Sequence, residues 1–194
     1  MRIAALFIAL AALVAGSMAP DEARAQERYV IDKAHTVIAF SVGRFGYSNM
    51  WGRFNKYDGT FLFDENNIAN SRITATIQTA SIDTGHGRRD GHLRAPDFFN
   101  VKEFPEMKFT STKVEKTGAK TGRITGNLTL LGVTKPMTLE VTFNRKALHP
   151  RIKKVFAGFT ATGELDRTAF GMKFLAPRIS PKVRLTIELL GIKQ

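Results

Sequence analysis

The sequence predicts an all-β protein, an eight-stranded antiparallel β-barrel with a short helical insertion at about residues 85–104. Three observations carry this. From Leu128 to Phe143 the chain reads LTLLGVTKPMTLEVTF. Apolar residues fall at Ile124, Leu128 and Leu130 on one flank and at Met137, Leu139, Val141 and Phe143 on the other, the period of a strand with one buried and one wet face. Between them Gly132 to Pro136 supplies turn chemistry, so the block reads as a β-hairpin. The same alternation recurs in about eight segments with little helix between them. Meandering strands must hide their edges, and the long central strands favour closure into a barrel over pairing of two sheets.

The elements follow in order. Thr36 to Val42 alternates, with Ile38, Phe40 and Val42 on one face. Trp51 to Phe63 is a second, aromatic-rich strand. Phe54 and Tyr57 differ in parity, which predicts a bulge or bend near Asn55 or Lys56. Asp64 to Asn67 is a turn. Arg72 to Gln78 alternates through Ile73, Ala75 and Ile77, with Thr79 to Thr84 as a possible continuation. Gly85 to Phe104 loses the period of two and reads as short helical turns, one near His86 to Leu93 and one opened by Pro96-Asp97. Phe98, Phe99, Val101 and Phe104 are then placed to plug one end of the barrel. Strands resume at Met107 to Val114, Gly122 to Leu131, Met137 to Asn144, Val155 to Leu165 and Val183 to Leu189. Lys116 to Lys120 forms a hairpin tip, and Ala147 to Lys154 a basic loop.

The first residues have a different purpose. Arg2, thirteen apolar residues from Ile3 to Ala15, and the small-residue end Ala23-Arg24-Ala25 make a secretory signal peptide over 1–25, cleaved after Ala25. The apolar run is short of the ~20 residues a spanning helix needs. Residues 26–194 then form one domain in the periplasm or outside the cell. The chain contains no Cys, which rules out disulfides and a Cys-anchored lipid. Its net charge of +12 is spread over scattered Lys and Arg residues. The plain reading is a solvated basic surface; nucleic acid is the weakest partner for an exported protein and none is expected, while weak contact with an anionic membrane surface is the functional reading that fits export.

Several phrases, taken in order, resemble one family. They are Asp32-x-x-His35 before alternating apolar residues, Gly52-Arg53-Phe54, Gly59-Thr60-Phe61, and His92-Leu93-Arg94-Ala95-Pro96-Asp97-Phe98-Phe99. Phe104-Pro105-Glu106-Met107, the Leu128 to Phe143 hairpin and Asp166-Arg167-x-x-Phe170-Gly171-Met172 complete the series. Together they are similar to the YceI-like family of exported bacterial proteins. The resemblance spans essentially all of residues 26–194. It implies a lipocalin-like, extended eight-stranded antiparallel barrel that binds a polyisoprenoid lipid in its interior. Two segments depart from the family pattern: Arg44-Phe45-Gly46, where the family often has a His, and Phe174 to Pro181.

The residues themselves argue for binding rather than catalysis. There is no G-x-S-x-G elbow, no Cys nucleophile and no Gly-rich phosphate loop. His86-x-x-x-Asp90-x-His92 offers imidazole and carboxylate groups, but Arg88, Arg89 and Arg94 crowd it with positive charge and disfavour a divalent ion. Asp166-Arg167 reads as a structural ion pair. An eight-stranded barrel is just wide enough to fill itself or to hold one small ligand. The expected lipid-contacting wall is Phe40, Val42, Phe54, Met107, Phe109, Leu128, Leu130, Met137, Leu139, Phe159 and Leu185, with Ile187 beside them. Arg44, Phe45 and Trp51 stand at the mouth with Tyr47, Ser48 and Asn49. Arg44 is suited to a phosphate or a quinone oxygen.

The expected function is therefore sequestration or carriage of an isoprenoid lipid, polyprenyl or isoprenoid-quinone in type, or of another long amphiphile. No cofactor, metal or catalytic residue is expected, and the protein is a monomer or homodimer. The alternatives are an enzyme acting on a lipid or small amphiphile, and a filled barrel that serves as a stress or interaction module.

Overall fold

Eleven strands and one helix make up residues 26–194, which are the residues this computed structural model describes; the expected signal peptide lies outside them. The strands are β1 (Glu27–Ile31), β2 (Val37–Arg44), β3 (Ser48–Phe54), β4 (Tyr57–Phe63), β5 (Arg72–Gln78), β6 (Ile82–Asp83), β7 (Glu106–Lys116), β8 (Thr121–Leu130), β9 (Val133–Leu148), β10 (Val155–Asp166) and β11 (Ile179–Lys193), with helix α1 (Gly87–Arg94) between β6 and β7. All neighbours pair antiparallel. The order β1-β4-β5-β7-β8-β9-β10-β11 returns to β1, so eight strands close a ring and no open edge remains in it.

The extra strands are pieces of broken staves. β1 and β2 pair with successive parts of the same edge of β11, Ile31 opposite Gly191 and Val37 opposite Glu188. β3 and β4 continue one another across Asn55-Lys56, where the change of parity in the sequence predicted a bend. β5 likewise continues into β6 through a 3-10 turn at Thr79–Ser81. Eight staves are thus the eight predicted strands, with β1 as an unpredicted extension of the first.

The Leu128 to Phe143 hairpin forms, but its turn differs from the expectation. Leu131 and Gly132 both take positive φ, 52° and 73°, and pairing resumes at once with Leu130 opposite Val133. Gly132 to Pro136 is therefore strand, except for its first residue. Two consecutive left-handed residues match the twist of a tight antiparallel hairpin. Pro136 is tolerated because it pairs with β8 alone, since the β9–β10 ladder ends at Leu139 opposite Gly163.

Inward positions alternate between large and small. Phe109 lies over Gly126 and Phe40 over Gly52 on the neighbouring strand, and Phe61 reaches across β1 to lie over Gly191, so each ring occupies the place of an absent Cβ. One end of the barrel is filled by Tyr29, Phe61, Phe63, Phe143 and Phe159, with Tyr29 and Phe61 stacked at 4.8 Å. Beneath them Glu27 accepts hydrogen bonds from Tyr29 (2.6 Å), Lys193 (2.7 Å) and Lys146 (2.9 Å), and Lys146 also reaches Glu65. This end is the floor.

Candidate functional site: the barrel interior and its mouth

The other end of the barrel carries the helical insertion. The predicted aromatic plug is present: Phe98 is buried, Phe99 packs edge-on against Phe54 at 5.6 Å, and Phe104 lies against Gly132. α1 forms as a helix of about two turns and is followed by hydrogen-bonded turns from Ala95 to Glu103 rather than a second helix. His86 caps α1 by accepting from the Arg89 N–H, buried Asp90 accepts from Thr84, and His92 pairs with Asp97 at 2.8 Å. The three residues His86, Asp90 and His92 are therefore engaged separately. Among the described residues, no group of three or more His, Asp or Glu converges as a metal site.

The segment between β10 and β11 frames the rest of the mouth. Its organiser is Arg167, buried, which donates to four backbone carbonyls: Met172 (2.7 Å), Ile179 (2.8 Å), Ser180 (2.9 Å) and Phe174 (3.1 Å). Burial pulls its pKa below the usual arginine range, and nearby Asp166 opposes that. Asp166 itself caps the following 3-10 turn by accepting from the N–H and hydroxyl of Thr168. The two residues do not form the expected ion pair. A planar guanidinium satisfies carbonyls of a folded-back loop better than it serves one neighbouring carboxylate.

Register places the predicted wall. Met107, Phe109, Leu128, Leu130, Met137 and Leu139 are all buried and form one tightly packed side on β7, β8 and β9, while buried Phe54 lies on β3 opposite Ile38. The opposite side is looser. Ile38, Phe40 and Val42 on β2 stand opposite Ile187, Leu185 and Val183 on β11, all on the inward parity, and all six are only half-buried. Leu165 and Met50 continue this strip toward the mouth. Their partial exposure makes this strip less tightly enclosed than the other side, although Ile38, Phe40, Leu165, Leu185 and Ile187 still pack against the core. Phe159 belongs to the floor cluster instead.

The mouth residues divide. Arg44 stands on the inward parity at the end of β2, paired with Ser48 and Ile179, and its guanidinium carbon is 5.0 Å from the centre of the Phe45 ring. Phe45 occupies the β2–β3 turn and is 39% exposed. Trp51 pairs with Ser41 on the outward parity and is 59% exposed, so the structure does not bring it to the interior. Sequence reasoning did not select Ile38, Met50, Leu165 and Val183 as wall residues. The alternation of β2 already carried Ile38, whereas Leu165 and Val183 needed the β10–β11 register.

Comparison with known proteins fits this geometry. The family model for the YceI-like domain matches residues 29–190. The chain belongs to the YceI-like family. A UPF0312 protein of Pseudomonas savastanoi pv. phaseolicola is 40% identical over 99% of this chain and 97% of its own length. Protein YceI of Salmonella arizonae is 43% identical over 86% of this chain and 87% of its own. Among solved structures, the YceI protein of Campylobacter jejuni superposes with a TM-score of 0.70 at 32% identity, covering 76% of this chain and 86% of its own. Burkholderia cenocepacia BcnA superposes at 0.75 with 21% identity, covering 82% and 98%. A polyisoprenoid-binding domain from Saccharophagus degradans superposes at 0.65 with 14% identity, covering 88% and 100%. The last two share the fold. The closed eight-stranded barrel is thus common to this YceI-like chain and its structural neighbours.

Proposed function

We propose that this YceI-like protein is an exported, non-catalytic carrier that holds an isoprenoid lipid in its barrel, with the tail along the β2–β11 wall and the head group near Arg44. The observation that carries the reading is the strip of inward, half-buried apolar residues Ile38, Phe40, Val42, Val183, Leu185 and Ile187. The Saccharophagus degradans neighbour, described as a polyisoprenoid-binding domain, supports the same ligand class. Burying a methylene is worth ~0.8 kcal/mol, so a five-carbon isoprene unit contributes on the order of 4 kcal/mol gross. A few units exceed the ~8 kcal/mol of micromolar affinity even after ordering costs. Polar groups able to serve chemistry are engaged elsewhere, His92 with Asp97 and Arg167 with loop carbonyls. This favours binding over turnover.

The test is extraction of protein purified from its native host, followed by mass spectrometry of the lipid fraction. Uptake of prenyl alcohols and quinones by the delipidated protein is measured alongside by native mass spectrometry. Because Trp51 lies on the outer face, its quenching is a poor readout. An isoprenoid recovered from native protein, and rebound by the emptied barrel, is the expected result. Absence of both means a barrel filled by its own side chains.

A further inference from the structure

Two loops at the mouth expose apolar side chains where a soluble rim has no need of them. In the β2–β3 turn, Phe45 is 39% and Tyr47 88% exposed; in the β10–β11 segment, Phe174 is 36% and Leu175 39% exposed. The loops are joined, since the Phe45 N–H donates to the Arg178 carbonyl at 2.6 Å. Arg167 fixes the second loop from beneath, and Phe174 is wedged edge-on against Phe98 and His92 at 5.4 and 5.3 Å.

Phe45 and Leu175 moreover hold left-handed backbone, with φ of 51° and 54°. That region favours Gly or Asn, and a bulky residue there sits at a local cost. Here the costly position carries an apolar side chain and turns it to solvent in both loops. Exposed cations flank them: Arg44, Lys173 and Arg178. On the adjoining plug the carboxylates are engaged: Asp97 with His92, buried Asp90 with Thr84 and Glu103 with Asn100.

We infer that this rim is a docking surface for an anionic lipid bilayer, with Phe45, Tyr47, Phe174 and Leu175 entering the interface and Arg44, Lys173 and Arg178 meeting the head groups. Aromatic and aliphatic tips beside Lys and Arg are the chemistry of shallow interfacial binding. The orientation points the Arg44 end of the barrel at the membrane. As a route for ligand transfer, the inference rests on the lipid-carrier reading above; as a docking surface it is measured independently.

The opposite end supplies a built-in rival. Leu148 and Ile152, 59% and 53% exposed, stand beside Arg145, Arg151, Lys153 and Lys154 at the β9–β10 turn. That patch shares the composition, but its register puts it at the floor end, opposite the Arg44 rim.

The experiment is co-sedimentation of the protein with vesicles of equal parts phosphatidylglycerol and phosphatidylcholine, and with phosphatidylcholine alone. The expected result is binding to the anionic vesicles that falls as salt screens the cations. The variant Phe45→Asn with Leu175→Asn suits left-handed backbone and should stay folded by circular dichroism, yet bind about tenfold or more weakly. Lys173→Gln with Arg178→Gln should weaken binding and flatten its salt dependence. Leu148→Ser with Ile152→Ser should leave it unchanged. No binding by the unaltered chain, or loss only in the Leu148 and Ile152 variant, overturns the proposal. So does full binding by the Phe45 and Leu175 variant, including where a protein partner rather than lipid is captured. Lipid extraction reads the interior separately. An empty barrel that still docks through its rim overturns the carrier reading alone, and a loaded barrel that does not dock overturns the docking surface alone.

Discussion

The ring of Phe109 occupies the space above Gly126: a Cβ built on Gly126 would stand 2.5 Å from Phe109 Cζ and 2.6 Å from the Thr110 carbonyl oxygen. The backbone oxygen cannot rotate away. Gly126→Ala should therefore destabilise the barrel by ~1–3 kcal/mol, the usual cost of overpacking a filled core. Urea unfolding of the variant checks this. A midpoint equal to that of the unaltered chain would mean that the β7–β8 wall yields more easily than its packing indicates.

The two sides of the interior should answer differently to the same substitution. Leu130 and Phe109 are 3% and 8% exposed, within the packed side. Leu130→Trp or Phe109→Trp should destabilise by ~1–3 kcal/mol. Leu185 is half-buried and faces the looser strip, so Leu185→Trp should fold normally and reduce uptake of prenyl ligands. Unfolding curves run beside ligand titrations separate the outcomes.

Arg167→Met should cost ~1–3 kcal/mol or more, because four carbonyls lose a shared donor in a buried setting. Arg167→Lys should rescue little, since a compact ammonium cannot reproduce the fork of the guanidinium. Hydrogen exchange should show faster amides at residues 172–180 in both variants, with the floor strands unaffected.

Glu27 predicts an acid limb in the stability profile. Burial favours its protonated form, but hydrogen bonds from Lys193, Tyr29 and Lys146 outweigh this and hold the carboxyl at about 2 against an ordinary value of 4.5. The folded value lies below the unfolded one. Its contribution is therefore fully present above pH 4.5 and is lost as pH falls toward about 2. Glu27→Gln should be less stable than the unaltered chain near neutrality. The two unfolding midpoints should converge across that acid window.

Alternation made the staves readable, because a two-residue period survives any register and any partner. It also located the bend after Phe54, where parity failed. What it could not show depends on contacts distant in sequence. β1 is short and becomes a strand only by filling the gap between β4 and the end of β11. Leu131 in the turn is left-handed, a conformation its side chain does not advertise. Arg167 departs from the expected ion pair because its acceptors are backbone carbonyls, which leave no mark in a sequence. In the site, the hairpin residues Leu128, Leu130, Met137 and Leu139 do face inward, as their pattern required. They line the packed side, however, and the accessible strip is made by β2 and β11 across the barrel.

The pairing of Tyr29 with Lys193 brings together nearly the two ends of the described chain. Until β11 is available, β1 and β10 each lack a neighbour that they have in the finished ring. A nascent or shortened chain that stops before Ile179 would present two unsatisfied strand edges and an exposed greasy lumen. Such a species is prone to join other copies of itself. The last strand is thus a clasp: β1, β2 and β10 complete their ladders only when residues 179–193 are in place, whereas the other ladders pair without it.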